Sequence, residues 1–227
     1  VLGDEDATPC GQCSYCRQTP AISIRKDRVQ TQAWLDNRQV PIPPAKRPPM
    51  EEGVSLLDGR LRQPLFVKFK RRRTKQAQID SELRDLLDLM LTRLNAKYRF
   101  KFVVPVPSRT WQQRDNTTTY IAQRLGAAAA PDLLSWQEIP PNRQGELLNN
   151  DQRRENVQGR MQMVSPDGLL NALSENEAIL LLDDYIGSGA TIKEAVRALR
   201  AAGSRQATIV PITIARVRWR LGARGMI

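Results

Sequence analysis

The chain has 227 residues, 41% of them hydrophobic, which allows one or two domains with a real hydrophobic core. Its formal net charge of +11 favours a polyanionic partner, nucleic acid before membrane. Histidine is absent, so nucleophiles activated by histidine are excluded, and a general base has to be a carboxylate, a substrate group or water.

The sequence contains no signal for a membrane or for secretion. It has no apolar run of about 18 residues, the length that a membrane span needs. The stretch from Val1 to Pro20 lacks the basic start and apolar core of a secretory signal. We therefore expect a cytoplasmic protein without a membrane partner.

All three cysteines fall in one short motif, Cys10-Gly-Gln-Cys13-Ser-Tyr-Cys16. This spacing favours a metal site over a disulfide framework, and zinc prefers four thiolate or imidazole ligands. Since the chain supplies three thiolates and begins at Val1, we expect a fragment whose fourth cysteine ligand lies upstream. A free-thiol tail and an iron–sulfur site remain the alternatives.

The segment PCGQCSYCRQTP, residues 9–20, resembles the zinc-binding segment of RecQ-family DNA helicases. The resemblance implies a structural zinc in residues 1–20, a link to DNA repair, and covalent continuity with an upstream ATP-dependent helicase motor. The chain itself contains no motor motif.

Residues 21–76 are predicted to be a linker followed by a basic stretch. Prolines favour extended structure in the first part of this range, and they are Pro41, Pro43, Pro44, Pro48 and Pro49. A RecQ-like helicase would have a winged helix here, but the sequence of this range does not show the helix–helix–hairpin pattern of that domain.

Positive charge is most concentrated at the end of that range. We expect contact with DNA from the cations Lys68, Lys70, Arg71, Arg72, Arg73 and Lys75. The interleaved Phe66 and Phe69 suit a surface for single strands, although they also suit the buried face of a strand. A solvated basic face without a partner is the competing interpretation.

A helix and a strand are predicted next. Apolar residues at helical spacing run from Leu83 to Leu94, after a cap at Asp80 or Ser81, and predict a helix that packs against the core. Phe102 to Val106 is predicted to be a strand that leads into a loop with Ser108 and Arg109.

The most informative stretch is Glu177 to Ala202. Its apolar run, Ala178 to Leu182, predicts a strand buried on both faces of a parallel sheet. Asp183 and Asp184 follow, and then a loop with two glycines that allows backbone N–H groups to surround an anion; its residues are Gly187, Ser188, Gly189, Ala190 and Thr191.

The spacing of Thr191 and Glu194 predicts a capping box, and hence a helix that begins at Thr191 and directs its positive end at the loop. Adjacent carboxylates suit sugar hydroxyls, held directly or through a divalent cation, so the implied ligand is a ribose 5′-phosphate. An ordinary turn between strand and helix is the alternative. Ala207 to Ile214 predicts a final strand.

This strand, acidic pair and glycine loop closely resemble the signature of type I phosphoribosyltransferases. The segments VVPVPSRTWQQRDNTTTYIAQRLG and PPNRQGELLNNDQRRENVQGRM are similar to the ComF-type subfamily, although that subfamily has Arg-Gly-Phe-Asn-Gln where this chain has Arg114-Asp115-Asn116-Thr117-Thr118. The resemblance implies catalytic roles for Asp183 and Asp184, a phosphate site at Gly187 to Thr191, and a pyrophosphate loop at Ser108 and Arg109.

The expected architecture is therefore α/β, a mainly parallel sheet of the phosphoribosyltransferase type flanked by helices over residues 77–227, preceded by a small zinc-binding stub and linker. Two functions follow from the resemblances. One is an accessory region of a RecQ-like DNA helicase that binds a phosphorylated ribose, a nucleotide or DNA without turnover. The other is an active transferase that uses phosphoribosyl pyrophosphate and Mg²⁺.

Overall fold

The structure is a computed structural model that describes residues 40–59, 64–75, 78–147, 149–164, 173, 176–203 and 207–217. These residues all fall within one compact unit, Arg38–Ile227. The predicted zinc ligands Cys10, Cys13 and Cys16 lie outside the described residues.

The main sheet has six strands, which lie in the spatial order β1 (Val40–Ile42), β4 (Gly53–Asp58), β10 (Thr208–Arg216), β9 (Glu177–Ile186), β5 (Arg99–Pro105) and β6 (Ala128–Ala129). Only the edge strand β1 is antiparallel to its neighbour, and the other four pairs are parallel. Two antiparallel ribbons accompany the sheet, β2 (Ala45–Lys46) with β3 (Pro49–Met50) and β7 (Leu134–Trp136) with β8 (Met161–Met163).

Five α-helices are described. They are α1 (Pro64–Arg72), α2 (Ser81–Asn95), α3 (Arg114–Leu125), α4 (Asn150–Val157) and α5 (Ala190–Ala201), and a short 3₁₀ helix spans Gln144–Glu146. The predicted cap of α2 is confirmed, because the Asp80 side chain accepts a hydrogen bond from the Glu82 N–H at 3.2 Å. No helix in these described ranges is long and apolar enough to cross a membrane.

Strand β9 separates two hydrophobic layers. Leu180 and Leu182 face a core built with α1, α2 and α3, whereas Ile179 and Leu181 face a second core built with α5 and the ribbons. All four side chains are fully buried. The prediction of a mainly parallel α/β sheet with helices on both faces is therefore confirmed, and the central strand is buried on both faces because it lies inside that sheet.

The structure differs from the predicted linker over residues 21–76. Strand β4 lies between β1 and β10 in the main sheet, so residues 40–58 belong to the same unit as the later strands. Pro41 is tolerated because β1 is an edge strand. A Cβ on Gly53 would lie 2.0 Å from the Pro211 carbonyl oxygen, so glycine permits the close approach of β4 to β10.

The basic stretch contains helix α1, and neither sequence interpretation of its phenylalanines holds. Phe69 is buried, with its ring centroid 6.4 Å from that of Trp111 and 5.8 Å from that of Tyr185. Phe66 is partly buried against the same core. The two rings thus attach a helix to the sheet, and they form neither a strand face nor an exposed stacking surface.

Candidate functional site

The sheet changes its direction of winding between β5 and β9. The chain leaves β5 towards α3 and β6 on one side, and leaves β9 towards α5 and β10 on the other. The register pairs Pro105 with Leu182, so both strands end at the same edge of the sheet. Ligand sites of open α/β sheets lie in the crevice that such a divergence opens at the carboxyl ends of the strands.

A cavity of about 590 Å³ lies at this edge. It is lined by all the residues predicted for the acidic pair, the glycine loop and the pyrophosphate loop, namely Asp183, Asp184, Gly187, Ser188, Gly189, Ala190, Thr191, Ser108 and Arg109. Segments that are distant in sequence add Arg73, Trp136 and the stretch from Asn142 to Gln144. The structure thus brings the predicted site residues together around one space.

The glycine loop ends in a left-handed residue that starts α5. Gly189 has φ +78° and is the N-cap, and no side chain caps the helix. The Ala190 N–H lies 3.4 Å from the Ser188 Oγ. Because the first turn of a helix lacks internal partners for its N–H groups, an uncapped helix start lining a cavity is suited to an anion.

The predicted capping box at Thr191 and Glu194 is wrong. The helix begins one residue earlier, and Glu194 is buried, where it accepts a hydrogen bond from the Met161 N–H at 3.0 Å instead of capping the helix. The spacing resembled a capping box, but the carboxylate is used by a residue 33 positions away in sequence. A capping box would also have occupied the Thr191 N–H, which is now left to the cavity that Thr191 lines.

The acidic pair forms the end of β9. Asp183 and Asp184 are 6% and 8% exposed, and each carboxylate accepts the N–H of the following residue, at 2.9 and 2.8 Å. Burial raises the pKa of Asp183 well above its usual value, and the negative charge of Asp184 raises it further. Burial also raises the pKa of Asp184, and the opposing attraction of Arg73 limits that rise.

Arg73 joins the site from the end of α1. Its guanidinium forms an ion pair with Asp184, lies 4.6 Å from the ring centroid of Tyr185, and donates a hydrogen bond to the Thr110 Oγ1 at 3.0 Å. Burial raises the pKa of Tyr185 to about 12. Sequence reasoning placed Arg73 among the cations for DNA and did not select Tyr185 or Thr110. The spacing could have indicated the position of Arg73, because it follows the buried Phe69 by four residues and residues four apart lie on the same face of a helix.

The loop after β5 is held by its own polar groups. The Ser108 Oγ accepts the N–H groups of Thr110 at 3.3 Å and of Trp111 at 3.1 Å, and Arg109 donates to the Pro140 carbonyl at 2.6 Å. Ser108 therefore shapes a turn at the cavity wall, while Arg109 brings a positive charge to it.

Helix α4 carries two arginines with different surroundings. Arg153 is 8% exposed, lines the cavity, and donates to the carbonyls of Gln144 and Leu147 at 3.2 and 2.8 Å. Arg154 is exposed and pairs with Asp151 at 3.3 Å. Arg153 therefore belongs to the site and Arg154 does not. The hydrogen bonds of Arg153 support the segment around Gln144, which also lines the cavity.

The basic run divides in the same way. Lys68 and Arg72 form ion pairs with Asp80 at 2.8 and 2.7 Å, and Arg73 faces the acidic pair. Lys70, Arg71 and Lys75 are exposed and have no ion pair within the described part of the chain. The predicted contact of these three cations with DNA stays a prediction.

The acidic pair is a candidate site for a divalent cation. Mg²⁺ commonly uses one or two carboxylates together with substrate oxygens, which two aspartates would satisfy. Here, however, Asp184 Oδ2 is already paired with Arg73, while Oδ1 accepts the Tyr185 N–H. The observed arrangement therefore does not fit a metal on Asp184. Among the described residues, no group of three or more metal-ligating side chains is present.

No protein-family model and no curated protein matches the chain. Solved structures with a similar fold include an adenine phosphoribosyltransferase, at 13% identity and a TM-score of 0.41, with 82% of this chain and 89% of the other covered. A second is the adenine phosphoribosyltransferase of Saccharomyces cerevisiae, at 12% identity, a TM-score of 0.38 and coverage of 83% and 89%.

A third is a hypoxanthine phosphoribosyltransferase from Staphylococcus aureus, at 13% identity and a TM-score of 0.37, with 69% and 88% covered. At these identities and scores, the likeness carries no conclusion about a ligand or a reaction.

Proposed function

We propose that the described unit is a phosphoribosyltransferase-type domain that binds a phosphorylated ribose, as a free sugar phosphate or within a nucleotide. The observation that carries the proposal is the meeting of the acidic pair, the glycine loop and the loop of Ser108 and Arg109 around one cavity at the divergence of β5 and β9. These groups match the two chemical halves of such a ligand.

The 5′-phosphate is assigned to residues 187–191. Gly189 opens α5 without a side-chain cap, so the positive end of the helix and the first-turn N–H groups other than that of Ala190, which donates to the Ser188 Oγ, are available to it. The ribose hydroxyls are assigned to Asp183 and Asp184, whose carboxylate oxygens keep lone pairs beyond the backbone N–H that each carboxylate accepts and the Arg73 guanidinium that also donates to Asp184. A second phosphate group on C1 is assigned to Arg109, whose guanidinium also donates to the Pro140 carbonyl at the cavity wall.

A second candidate is an active transferase, in which an incoming base would displace pyrophosphate from the anomeric carbon of phosphoribosyl pyrophosphate; any Mg²⁺ would be held by ligand oxygens, because the arrangement around Asp184 does not fit a metal. The volume of the cavity supports this candidate. About 590 Å³ lies within the usual range for small-molecule sites, roughly 300–1,000 Å³, and leaves room for a base beside the sugar. Pyrophosphate release above background across a panel of bases would support turnover, whereas binding without release would support the binding domain.

The accessory role in a RecQ-like helicase, with DNA as partner and a structural zinc at Cys10, Cys13 and Cys16, is proposed from the sequence resemblance alone. Metal analysis tests it. A protein extended upstream through a fourth cysteine should hold zinc stoichiometrically, and a metal-free extended protein would contradict the helicase assignment.

The binding proposal is tested by calorimetry with ribose 5-phosphate and 2-deoxyribose 5-phosphate. The unmodified protein should bind the ribose compound more tightly, and Asp184→Asn should lose about ten- to a hundredfold affinity for it, the effect of one charge-assisted acceptor. The affinity of Asp184→Asn for 2-deoxyribose 5-phosphate should fall less. Failure of the unmodified protein to bind either compound would refute the proposal.

A further inference from the structure

Two neighbouring carboxylates at the end of β9 are almost completely removed from water. The side chain of Asp184 is 12% exposed, and that of Arg73, its partner, is 19% exposed. Two buried acids this close cannot both ionise unless a cation compensates them. Arg73 is a cation supplied by the chain itself at the place where a metal ion would otherwise be needed.

The position of Arg73 is fixed from several directions. Its guanidinium lies over the Tyr185 ring and donates to Thr110, and its backbone carbonyl accepts the Gln112 N–H at 2.9 Å. The preceding turn is attached to the core by Phe69, which contacts Tyr185 and Trp111. The arginine is thus placed by the fold and is more than a mobile surface charge that happens to reach the carboxylate.

This contact leaves Asp184 able to accept hydrogen bonds but poorly able to bind a metal. The Tyr185 N–H donates to Oδ1 and Arg73 to Oδ2, and the carboxylate retains lone pairs for a sugar hydroxyl. A divalent cation would need a place close to the same oxygens, where the guanidinium charge repels it. The Arg73 Nε is also buried without a hydrogen-bond partner in the described structure, so the guanidinium keeps one unused donor.

We infer, on the basis of the proposed function, that Arg73 replaces the divalent cation at the acidic pair, so that this site binds its phosphorylated ribose without Mg²⁺. Arg73 is then a positioning residue that favours the ionised form of Asp184 and orients it towards the sugar hydroxyls. Any metal bound with the ligand would have to use ligand oxygens and not Asp184.

The test compares the full chain with Arg73→Met, and uses Arg93→Met as control, because Arg93 is an exposed residue of α2 outside the cavity. Each protein is titrated with ribose 5-phosphate in EDTA and again in excess Mg²⁺. The unmodified protein and the control should bind equally well in both buffers. Arg73→Met should lose at least about tenfold in EDTA, and Mg²⁺ should restore most of that loss.

A second readout uses the metal alone. Electron paramagnetic resonance with Mn²⁺ should detect no ion at the acidic pair of the unmodified protein and a bound ion in Arg73→Met. If Arg73→Met does not fold, Arg73→Lys keeps the charge without the planar fork and should show a smaller loss in EDTA.

Three results would overturn the inference. Binding of ribose 5-phosphate by the unmodified protein only in Mg²⁺ would show that a metal is required. Unchanged affinity of the Arg73 variants in EDTA would show that the arginine has no part in binding. Absence of binding by the unmodified protein in both buffers would instead refute the proposed function, and the inference with it.

Discussion

Glu194 of α5 accepts a hydrogen bond from the Met161 N–H of β8 at 3.0 Å, and Arg197 completes the link by donating to the Met161 carbonyl at 2.6 Å. Arg197 also donates to both Glu194 oxygens, at 2.8 and 2.7 Å. Both polar groups of one residue in the β7–β8 ribbon are therefore satisfied by the helix that carries the glycine loop. The ribbon and the loop are held in one arrangement beside the cavity.

We expect Glu194→Ala to destabilise the protein. The change leaves the buried Met161 N–H without its acceptor, which typically costs about 1–3 kcal/mol. Urea unfolding measures the loss. The matched control is Glu155→Ala on α4, an exposed carboxylate whose removal should change the free energy of unfolding by less than about 0.5 kcal/mol. Equal stability of the two variants would show that the Glu194 link contributes nothing.

Gly189→Val should weaken the binding of every sugar phosphate. A Cβ at Gly189 meets only Ile186 Cδ1, at 3.8 Å, so the cost comes from the φ of +78° and from a side chain placed beside the cavity. Gly126→Val is the control, since Gly126 has φ +63° with nothing within 4 Å and ends α3 outside the cavity.

Both glycine variants should lose stability, by about 1–3 kcal/mol for a strained backbone, but only Gly189→Val should lose affinity in calorimetry. Equal affinity of Gly189→Val and the unmodified protein, for ribose 5-phosphate and for 2-deoxyribose 5-phosphate, would show that the loop is not a phosphate site.

The acidic pair should make the protein less stable as the pH rises. The pKa of Asp183 is raised in the folded state from 3.8, so the folded protein holds its proton more tightly than the unfolded chain. The stabilisation of the folded state by this tightly held proton is fully present below about pH 3.8, and it is lost as the pH rises through the folded-state pKa of Asp183.

Asp183→Asn keeps an acceptor for the Asp184 N–H but no longer titrates. We therefore expect this variant to be more stable than the unmodified protein at pH 7, with a difference that shrinks towards pH 4. Urea unfolding of both proteins across this range measures it. A difference that grows on acidification would contradict the raised pKa.

The predicted binding of DNA by the basic stretch should depend on its three cations that have no ion pair among the described residues. Neutralising Lys70, Arg71 and Lys75 should lower the slope of log K against log salt concentration by about 0.7–0.9 for each phosphate that the variant no longer neutralises. Neutralising Lys68, which is paired with Asp80, should have less effect. A slope that the triple variant leaves unchanged would make this a solvated face.

The parts of the fold that the sequence made predictable are those encoded locally. The apolar run at Ala178 to Leu182 indicates a central strand because each of its side chains is buried by neighbours on both faces. Asp80 indicates the start of α2 because its own carboxylate caps the helix two residues later. The glycine loop was recognisable because a left-handed φ at Gly189 requires a residue of that kind.

The parts that escaped prediction depend on contacts between distant segments. Arg73 reads as one cation in a basic run, and its place at Asp184, 111 positions later, follows only from the packing of α1 on the sheet. Glu194 reads as part of a capping box because its true partner, Met161, belongs to another element. Pro41 by itself indicates a linker, because the sequence alone does not show that β1 is an edge strand, where proline is tolerated.

The most direct test of the proposed ribose-phosphate site is an NMR titration of the isotopically labelled protein with ribose 5-phosphate. The backbone amides of Ser188, Gly189 and Thr191 should shift in a saturable way, because their N–H groups meet the phosphate. The amide of Gly126, at the far end of α3, should not shift. Saturation of the protein with ribose 5-phosphate while the amides of residues 187–191 stay unchanged would contradict the site proposed here.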